Sequence, residues 1–354
     1  MVIKNNKRKT LFSILSLLLA LLLLITACDK TPKNNSDLST ENDPPKVTTP
    51  GTTDKNGSTG DKHPNALKDV LDSISVSSNQ YDVTNLHSCA ALVYDKNKNE
   101  ILYTNEDINA ELFPASTTKL LTALYALSVA EPDLEIKVGY EQQLVAGDSS
   151  KAGINYGEAY SLEELIAFMI IPSGNDAAYA IAKGVGATMC RENCSTGEAL
   201  SAFVMGMNEY AKNVLGLENT FFVTPDGYHD DSHVTTLLEM LKISVAASEN
   251  PIIMKYAAMS QFSCKSSTNR TVTVYNTNSF ISPGNAFYNK YVTGLKTGHT
   301  GTAGRCICVS YDDGENSYIV LVFRVKNEYG DSYSDSYYRN KNVHILLEYF
   351  TKNA

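Results

Sequence analysis

The sequence predicts an α+β fold, in which an antiparallel sheet packs against a helical subdomain. Strand-like runs occur at both ends of the region after residue 65, whereas the middle of that region repeats its apolar residues at helical spacing. Segregated strands and helices favour this class over a fold in which the two alternate. The region holds about 290 residues, enough for one large core or two small ones, and no second linker interrupts it. We therefore interpret residues 66–354 as one domain.

The elements are predicted in order along the chain. Apolar spacing predicts the helices, capping residues and prolines set their ends, and β-rich runs bounded by polar turns predict the strands. The predicted elements are a helix over 67–74, strands over 88–95 and 100–105, helices from Ser116, over 161–171, from Asp176, over 200–215 and over 235–247, strands over 291–296, 305–311 and 317–325, and a helix over 342–350.

Two of these boundaries depend on particular residues. The N-terminal strands are joined by four polar residues, 96–99, which is a hairpin signal. Ser161 and Glu164 form a capping box, and Pro172 ends the helix that they begin. Segment 173–175 therefore lies on a turn between two helices, where side chains can project into a cleft.

The first 27 residues have the composition of a secretory signal peptide. Four basic residues precede an apolar run over 11–25, which is too short for a comfortable bilayer span. The tetrapeptide Ile25-Thr26-Ala27-Cys28 resembles a bacterial lipobox, in which the cysteine is lipidated and becomes the new N-terminus. The alternative is ordinary cleavage beside an incidental cysteine. The sequence predicts export, with a lipid on Cys28 as the anchor to the outer face of the cell membrane.

Residues 28–65 and the overall charge limit the partners of the protein. The segment is rich in Asn, Asp, Thr, Pro, Lys, Ser and Gly, so we expect a flexible tether. The formal charge of −9 becomes −13 when the four basic residues of the signal are removed. A chain this acidic is a poor nucleic-acid binder, and we expect no such partner.

Six cysteines remain when Cys28 is set aside, at positions 89, 190, 194, 264, 306 and 308. An even number in an exported protein permits disulfides, and Cys190 with Cys194 is the best local candidate. No second pair of Cys or His with zinc-ligand spacing lies nearby, so we expect no metal. Cys306 and Cys308 share one face of a predicted strand, and we expect both to be buried as small apolar residues.

Three short motifs follow one another in the domain: Ser116-Thr117-Thr118-Lys119, Ser173-Gly174-Asn175 and Lys296-Thr297-Gly298. A serine hydroxyl needs a base within hydrogen-bond reach before it can attack a carbonyl. Lys119 is the candidate for that base, because a helix that starts near Ser116 would place it one turn away, beside the hydroxyl. Each motif alone has a plainer interpretation, such as an exposed lysine or a capped helix connection, but this order is the one that serine acyl enzymes use.

The segment 114–119 resembles the nucleophile segment of the serine D-alanyl-D-alanine carboxypeptidases, which are low-molecular-weight penicillin-binding proteins. Residues 173–178 and 294–304 are similar to the second and third motifs of that family, and the likeness runs from about residue 88 to the C-terminus. The resemblance implies a β-lactamase/transpeptidase-like fold with a five-stranded antiparallel sheet, and an active site where the sheet meets the helices. We expect the form that lacks the β-rich C-terminal domain of many relatives.

The same resemblance implies the reaction and requires no cofactor. Ser116 would attack the penultimate residue of a peptidoglycan stem peptide ending in D-Ala-D-Ala, release the terminal D-Ala and leave an acyl-enzyme for water to hydrolyse. β-Lactam antibiotics would acylate the same serine. Lys119 can act as base only if its pKa falls far below about 10.4, and we expect burial beside the cation of Lys296 to lower it. The Ser173 hydroxyl would relay the proton to the leaving amine.

The remaining site residues are assigned to substrate binding. Asn175 would hold the substrate backbone, Lys296 and Thr297 would face the terminal carboxylate, and Gly298 would let the strand approach the ligand. By resemblance, the backbone N–H groups of Ser116 and His299 form the oxyanion hole.

Three further residues invite a functional interpretation. Arg270 lies upstream of the third motif, where relatives often place an arginine for the substrate carboxylate, although a surface arginine explains it equally well. His229 and His233 are spaced like two metal ligands, but we expect a loop and cap before the helix at 235.

Two other functions remain open on the sequence. A class A β-lactamase shares the three-motif order but needs a glutamate in E-x-x-L-N to activate water. Glu209 begins a similar run, but Lys212 replaces the leucine and the surrounding stripe is helical. The second alternative is a non-catalytic penicillin-binding sensor.

Overall fold

The fold is built on a six-stranded sheet in a computed structural model that describes residues 64–328 and 330–352. In chain order the elements are α1 (Pro64–Asp72), β1 (Ser75–Val76), β2 (Ala90–Asp95), β3 (Glu100–Thr104), β4 (Glu111–Leu112), α2 (Lys119–Val129), β5 (Glu135–Lys137), β6 (Ala159–Ser161), α3 (Leu162–Ile170), α4 (Asn175–Met189), α5 (Thr196–Asn213), β7 (Thr235–Thr236), α6 (Leu237–Ser248), α7 (Pro251–Ala257), β8 (Gln261–Lys265), β9 (Thr271–Tyr275), β10 (Val292–Thr300), β11 (Gly304–Asp312), β12 (Ser317–Val325) and α8 (Asp335–Lys352). The predicted signal peptide, Cys28 and the linker up to residue 63 lie outside the described residues.

The strands of the main sheet lie in the order β1-β3-β2-β12-β11-β10, so β10 forms one edge. Five of them pair antiparallel, which confirms the predicted five-stranded antiparallel sheet. β1 adds a sixth strand, parallel to β3. Its two residues are too few to show the alternation by which a strand is predicted.

Both faces of the sheet are covered. Successive side chains of a strand point to opposite faces, so Leu92 packs with the helices from the middle of the chain, whereas Val93 packs with Val343 and Leu346 of α8. Every residue of β2 is buried as a result. This double burial explains why the strand is almost continuously apolar in sequence.

Most predicted elements are present, with ends that differ by a few residues. The capping box of α3 is formed: Ser161 Oγ accepts a hydrogen bond from the Glu164 N–H, and Glu164 Oε2 accepts one from the Ser161 N–H. The prediction of a helix from Ser116 needs one correction. Ser116 lies in a 3₁₀ turn, Ala115–Thr118, and the α-helix begins at Lys119. The β8–β9 hairpin and α7 were not predicted.

All six cysteines among the described residues carry free thiols, including the candidate pair Cys190 and Cys194. Cys306 and Cys308 are buried on the face of β11 that meets the helices, as predicted. Among residues 64–328 and 330–352, no helix is both long and apolar enough to cross a bilayer.

Candidate active site

The first motif forms a short turn against the start of α2. Lys119 Nζ donates a hydrogen bond to Ser116 Oγ at 2.7 Å. Lys119 is fully buried, whereas the serine is half-buried and lines the cleft. A neutral lysine could accept the serine proton across the same distance, so the pair has the geometry of a nucleophile and its base.

Two glycines allow the backbone to crowd around this turn. A Cβ on Gly227 would lie 2.0 Å from the Ala115 carbonyl oxygen, and one on Gly298 would lie 3.2 Å from the Ser116 nitrogen. Ala115 itself adopts a φ of +49°, in the left-handed region, which costs a non-glycine residue about 1–3 kcal/mol. Gly298 was predicted to let the strand approach the ligand, and it also lies close to the backbone of Ser116. The crowding at Gly227 was not anticipated.

Lys119 is held by three acceptors in a buried position. Besides Ser116 Oγ, its Nζ donates to Asn175 Oδ1 at 2.8 Å and to the Asp226 carbonyl oxygen at 2.7 Å. Burial lowers the pKa of Lys119 to about 8, against the opposing charges of Asp226 and Asp176. Burial beside Lys296 was expected to lower this pKa, and burial itself is the main cause.

The second motif lies between α3 and α4, on the turn that the sequence predicts. Ser173 lines the cleft. Its φ of +63° lies in the left-handed region, so Ser173 is, after Ala115, the second residue of the site with a strained backbone. Asn175 begins α4, and its Nδ2 donates to Asp226 Oδ2 at 2.6 Å. Asp226 was missed by the sequence analysis, because Pro225-Asp226-Gly227 has the composition of an ordinary turn and nothing local reveals its burial.

The third motif lies on β10, at the edge of the sheet. Lys296 is buried, and its Nζ donates to the Thr297 carbonyl oxygen at 2.8 Å. Burial, and then the charge of Lys119, hold the pKa of Lys296 well below its ordinary value. The Thr297 and Thr277 hydroxyls are 2.6 Å apart. His299 follows with an exposed side chain.

One cleft of about 670 Å³ brings parts of all three motifs together. It is lined by Ser116, Ser173, Asn175, Thr297, Gly298 and His299, and also by Arg305 and Arg339. Among the described residues, the Arg305 Nε is buried without a hydrogen-bond partner, and the only acceptor of the Arg339 guanidinium is Asn340 Oδ1. Burial and the charge of Arg305 lower the pKa of Arg339 to about 10. This end of the cleft is therefore built to receive an anion.

The structure places Arg270 elsewhere, which corrects its assignment to the substrate carboxylate. Its guanidinium pairs with the buried Glu158 at 2.6 Å and donates to the Gly153 carbonyl oxygen at 2.8 Å. This partner lowers the pKa of Glu158 to about 2. Arg270 therefore connects the turn between β8 and β9 to residues 153–158, and among the described residues the arginines that line the cleft are Arg305 and Arg339. Neither carried a local sequence signal, since β11 and α8 bring them together only in the fold.

We predict that Arg270→Ala destabilises the protein but leaves its KM unchanged. Because Glu158 loses its partner, the free energy of unfolding should fall by about 1–3 kcal/mol at pH 7, less than for a fully buried pair. Because the pKa of Glu158 is lower in the folded state than in the unfolded state, ionised Glu158 stabilises the fold fully at pH values above about 4.5. This stabilisation is lost as the pH falls towards about 2. In urea unfolding near pH 3, the free energy of unfolding of Arg270→Ala should therefore approach that of wild type. Arg191→Ala changes an exposed residue and is the control, which should have the wild-type stability at every pH. A large rise in KM would contradict the correction.

His233 supports the turn at Ala115–Thr118, which carries Ser116. It is buried, its Nδ1 accepts from the Val223 N–H at 3.1 Å, and its Nε2 lies 2.8 Å from Thr118 Oγ1. Burial lowers its pKa to about 3, so the ring is neutral. The segment of His229 and His233 is a loop before α6, and within the described part of the chain no group of three His, Cys, Asp or Glu could hold a metal ion.

The glutamate required by the β-lactamase alternative is not in the cleft. Glu209 lies on α5 with an exposed side chain. No glutamate of the described residues lines the cleft. The geometry therefore favours Lys119 as the only base beside Ser116 among those residues.

Comparison with known proteins identifies the family. The D-alanyl-D-alanine carboxypeptidase family matches residues 75–327. The chain is 29% identical over 243 residues to D-alanyl-D-alanine carboxypeptidase DacF of Bacillus subtilis, and the match covers 66% of this chain and 56% of that one. It is also 29% identical over 216 residues to a D-alanyl-D-alanine carboxypeptidase of Streptomyces sp. strain K15, covering 58% and 70%. The chain thus spans only part of these relatives.

Solved structures share the fold. The crystal structure of the Streptomyces K15 DD-transpeptidase superposes with a TM-score of 0.65 at 23% identity, covering 76% of this chain and 98% of that one. A D-alanyl-D-alanine carboxypeptidase from Mycobacterium tuberculosis gives a TM-score of 0.64 at 20% identity, covering 78% and 96%. The transpeptidase-like fold is therefore as predicted.

Proposed function

Because this chain belongs to the D-alanyl-D-alanine carboxypeptidase family, we propose that it is a serine DD-carboxypeptidase, which removes the terminal D-Ala from peptidoglycan stem peptides through an acyl-enzyme. The observation that carries the proposal is the contact of 2.7 Å between Lys119 Nζ and Ser116 Oγ, with the lysine fully buried. A lysine with a pKa of about 8 is neutral in a large fraction of molecules near that pH.

Acylation would proceed from this pair. Neutral Lys119 takes the hydroxyl proton as Ser116 Oγ attacks the carbonyl carbon of the penultimate D-Ala. The negative oxygen that forms is stabilised by the backbone N–H groups of Ser116 and His299. Ser173 passes the proton to the leaving amine of the terminal D-Ala, and water then hydrolyses the ester. No step requires a cofactor.

The anion-binding end of the cleft would orient the peptide. Its terminal carboxylate would lie between Thr297 and the two arginines, Arg305 and Arg339, which have no carboxylate partner among the described residues. The same contacts would hold the carboxylate of a β-lactam, whose amide carbonyl then faces Ser116. We expect β-lactams to acylate the enzyme for this reason.

We predict that Arg339→Ala lowers kcat/KM for a D-Ala-D-Ala peptide by about 10- to 100-fold, since a hydrogen bond to a charged group contributes about 1.5–3 kcal/mol. Turnover of a matched peptide that ends in D-alaninol, which has no carboxylate, should change little. A variant that loses activity equally on both peptides would contradict the proposed orientation, and the alaninol peptide also reports whether the variant is folded.

The test of the function compares two substrates on purified protein. We expect D-Ala release from a D-Ala-D-Ala pentapeptide, with slow consumption of nitrocefin. Rapid nitrocefin turnover without D-Ala release would favour the β-lactamase alternative. Stoichiometric labelling by penicillin without turnover of either substrate would favour a sensor.

We also propose that the protein is exported and anchored to the cell membrane by a lipid on Cys28. Support comes from the sequence of residues 1–28. Cys28→Ala should move the protein from the membrane fraction to the soluble exported fraction, with unchanged activity. Equal membrane association of the variant would contradict the lipid anchor.

A further inference from the structure

Asp226 lies beneath the cleft with its carboxylate buried, at 1% exposure. Its Oδ2 accepts a hydrogen bond from Asn175 Nδ2 at 2.6 Å, and its Oδ1 accepts one from the Tyr228 backbone N–H at 3.0 Å. Its backbone carbonyl accepts from Lys119 Nζ at 2.7 Å. Asp226 therefore contacts the proposed base directly and contacts it again through Asn175.

We propose that Asp226 is a positioning residue for acylation: its carboxylate locks the Asn175 amide in the orientation that leaves the Lys119 lone pair to Ser116. This inference rests on the proposed function and deepens it, since it concerns how the base is kept ready. It also gives Asn175 a second role beside the substrate contact predicted from the sequence.

The neighbours of Asn175 determine which way its amide points. The oxygen and nitrogen of an amide are similar in size, so hydrogen bonding decides the orientation. Oδ1 accepts from Lys119 Nζ at 2.8 Å. A carboxylate can only accept, so Asp226 requires the NH₂ end. Both neighbours impose the same orientation.

The constraint matters once Lys119 has lost its proton. A charged lysine only donates and would hold Oδ1 without help, but the neutral amine of the reactive state has a lone pair. A flipped Asn175 amide could donate to that lone pair and compete with the Ser116 hydroxyl, which lies 2.7 Å away. Asp226 prevents the flip, because it would bring two acceptor oxygens to 2.6 Å.

Contacts on both sides of Asp226 hold its loop against α2 and against the turn at residues 115–118. Thr122 Oγ1 donates to the Pro225 carbonyl oxygen at 2.7 Å, and Gly227 has no space for a side chain against Ala115. The carboxylate is therefore held at a set position relative to Lys119.

The charge of Asp226 gives a second measurable effect. The titratable groups that face Lys119 are Asp226, Asp176, Lys296 and His233. Burial lowers the pKa of Lys119, and the carboxylate of Asp226 opposes that lowering. If Asn replaces Asp226 while the other three groups remain, the pKa of Lys119 should fall further. Since the neutral amine is the base, the acid limb of the acylation profile should then move to lower pH.

The experiment measures the second-order rate of acylation by a chromogenic β-lactam from pH 5.5 to 10, for wild type, Asp226→Asn and the control Asp231→Asn. Asp231 lies on the same loop with a 98% exposed side chain. For Asp226→Asn we expect a plateau at least about tenfold lower and an acid limb displaced downwards by at least about half a pH unit. The control should show neither change. In an Asn175→Ala background, Asp226→Asn should no longer lower the plateau, because the plateau effect acts through Asn175.

An unmoved acid limb, with a plateau reduced only in proportion to the folded fraction, would overturn the inference. Should Asp226→Asn fail to fold, Asp226→Ser carries the same test, since a hydroxyl is uncharged and can both donate and accept, so it no longer fixes the orientation of the Asn175 amide. Failure of both variants to fold would assign Asp226 a purely structural role. Absence of any acylation in wild type would instead refute the proposed function, so the two failures are distinguishable.

Discussion

Ser116→Ala should release no D-Ala above about one thousandth of the wild-type rate, because among the described residues Ser116 Oγ is the only hydroxyl hydrogen-bonded to Lys119 Nζ. The substitution removes one atom from a half-buried side chain, so we expect the fold and non-covalent peptide binding to persist. Steady-state kinetics measure the release of D-Ala, and stopped-flow kinetics measure acylation by a β-lactam. The variant should lose both activities.

Ser128→Ala is the matched control for this variant. Ser128 lies on α2 with an exposed side chain, and its Oγ donates to the Tyr125 carbonyl oxygen at 2.7 Å. It should retain wild-type rates. If Ser116→Ala still released D-Ala as fast as wild type, the assignment of the nucleophile would be wrong.

Lys119→Met should lower the acylation rate by about 10²- to 10⁴-fold, the range expected for loss of a general base. Methionine fills the buried channel of the lysine stem with an unbranched apolar chain, so the variant should fold. The rate that remains should also lose the dependence on pH near 8 that titration of Lys119 gives the wild type. Stopped-flow acylation across pH 6–10 measures both effects.

Lys212→Met, on the exposed face of α5, is the control for the loss of a lysine. Its rate and pH profile should equal those of wild type. Acylation by Lys119→Met within tenfold of wild type, with the same acid limb, would show that another group is the base.

The parts of the site that could be predicted are those encoded locally. Ser116 and Lys119 are one turn apart, and a proline after α3 sets the position of Ser173. Lys296 falls at the end of the strand predicted over 291–296, and the observed strand continues through Thr297 and Gly298 to Thr300. In each case neighbours in sequence determine the geometry, which is why motif and periodicity sufficed.

The parts that could not be predicted depend on contacts between distant segments. Asp226 meets Asn175 across 51 residues, and Arg339 reaches the cleft from the last helix. A distant contact also explains why the prediction for Arg270 was wrong. Its position before the third motif suggested substrate binding, but Arg270 pairs with Glu158, 112 residues away, outside the cleft. The direction of the pKa shift of Lys119 was expected from burial, but its size could not be predicted, since the degree of burial is a property of the folded chain.

The central claim is that Ser116 becomes acylated. The most direct test is to react the enzyme with benzylpenicillin, digest it and locate the adduct by mass spectrometry, with D-Ala release measured on the same preparation. We predict one penicilloyl group per active molecule, on the hydroxyl of Ser116, and loss of D-Ala release in proportion to labelling. An adduct on any other residue, or full D-Ala release from a fully labelled enzyme, would contradict the claim.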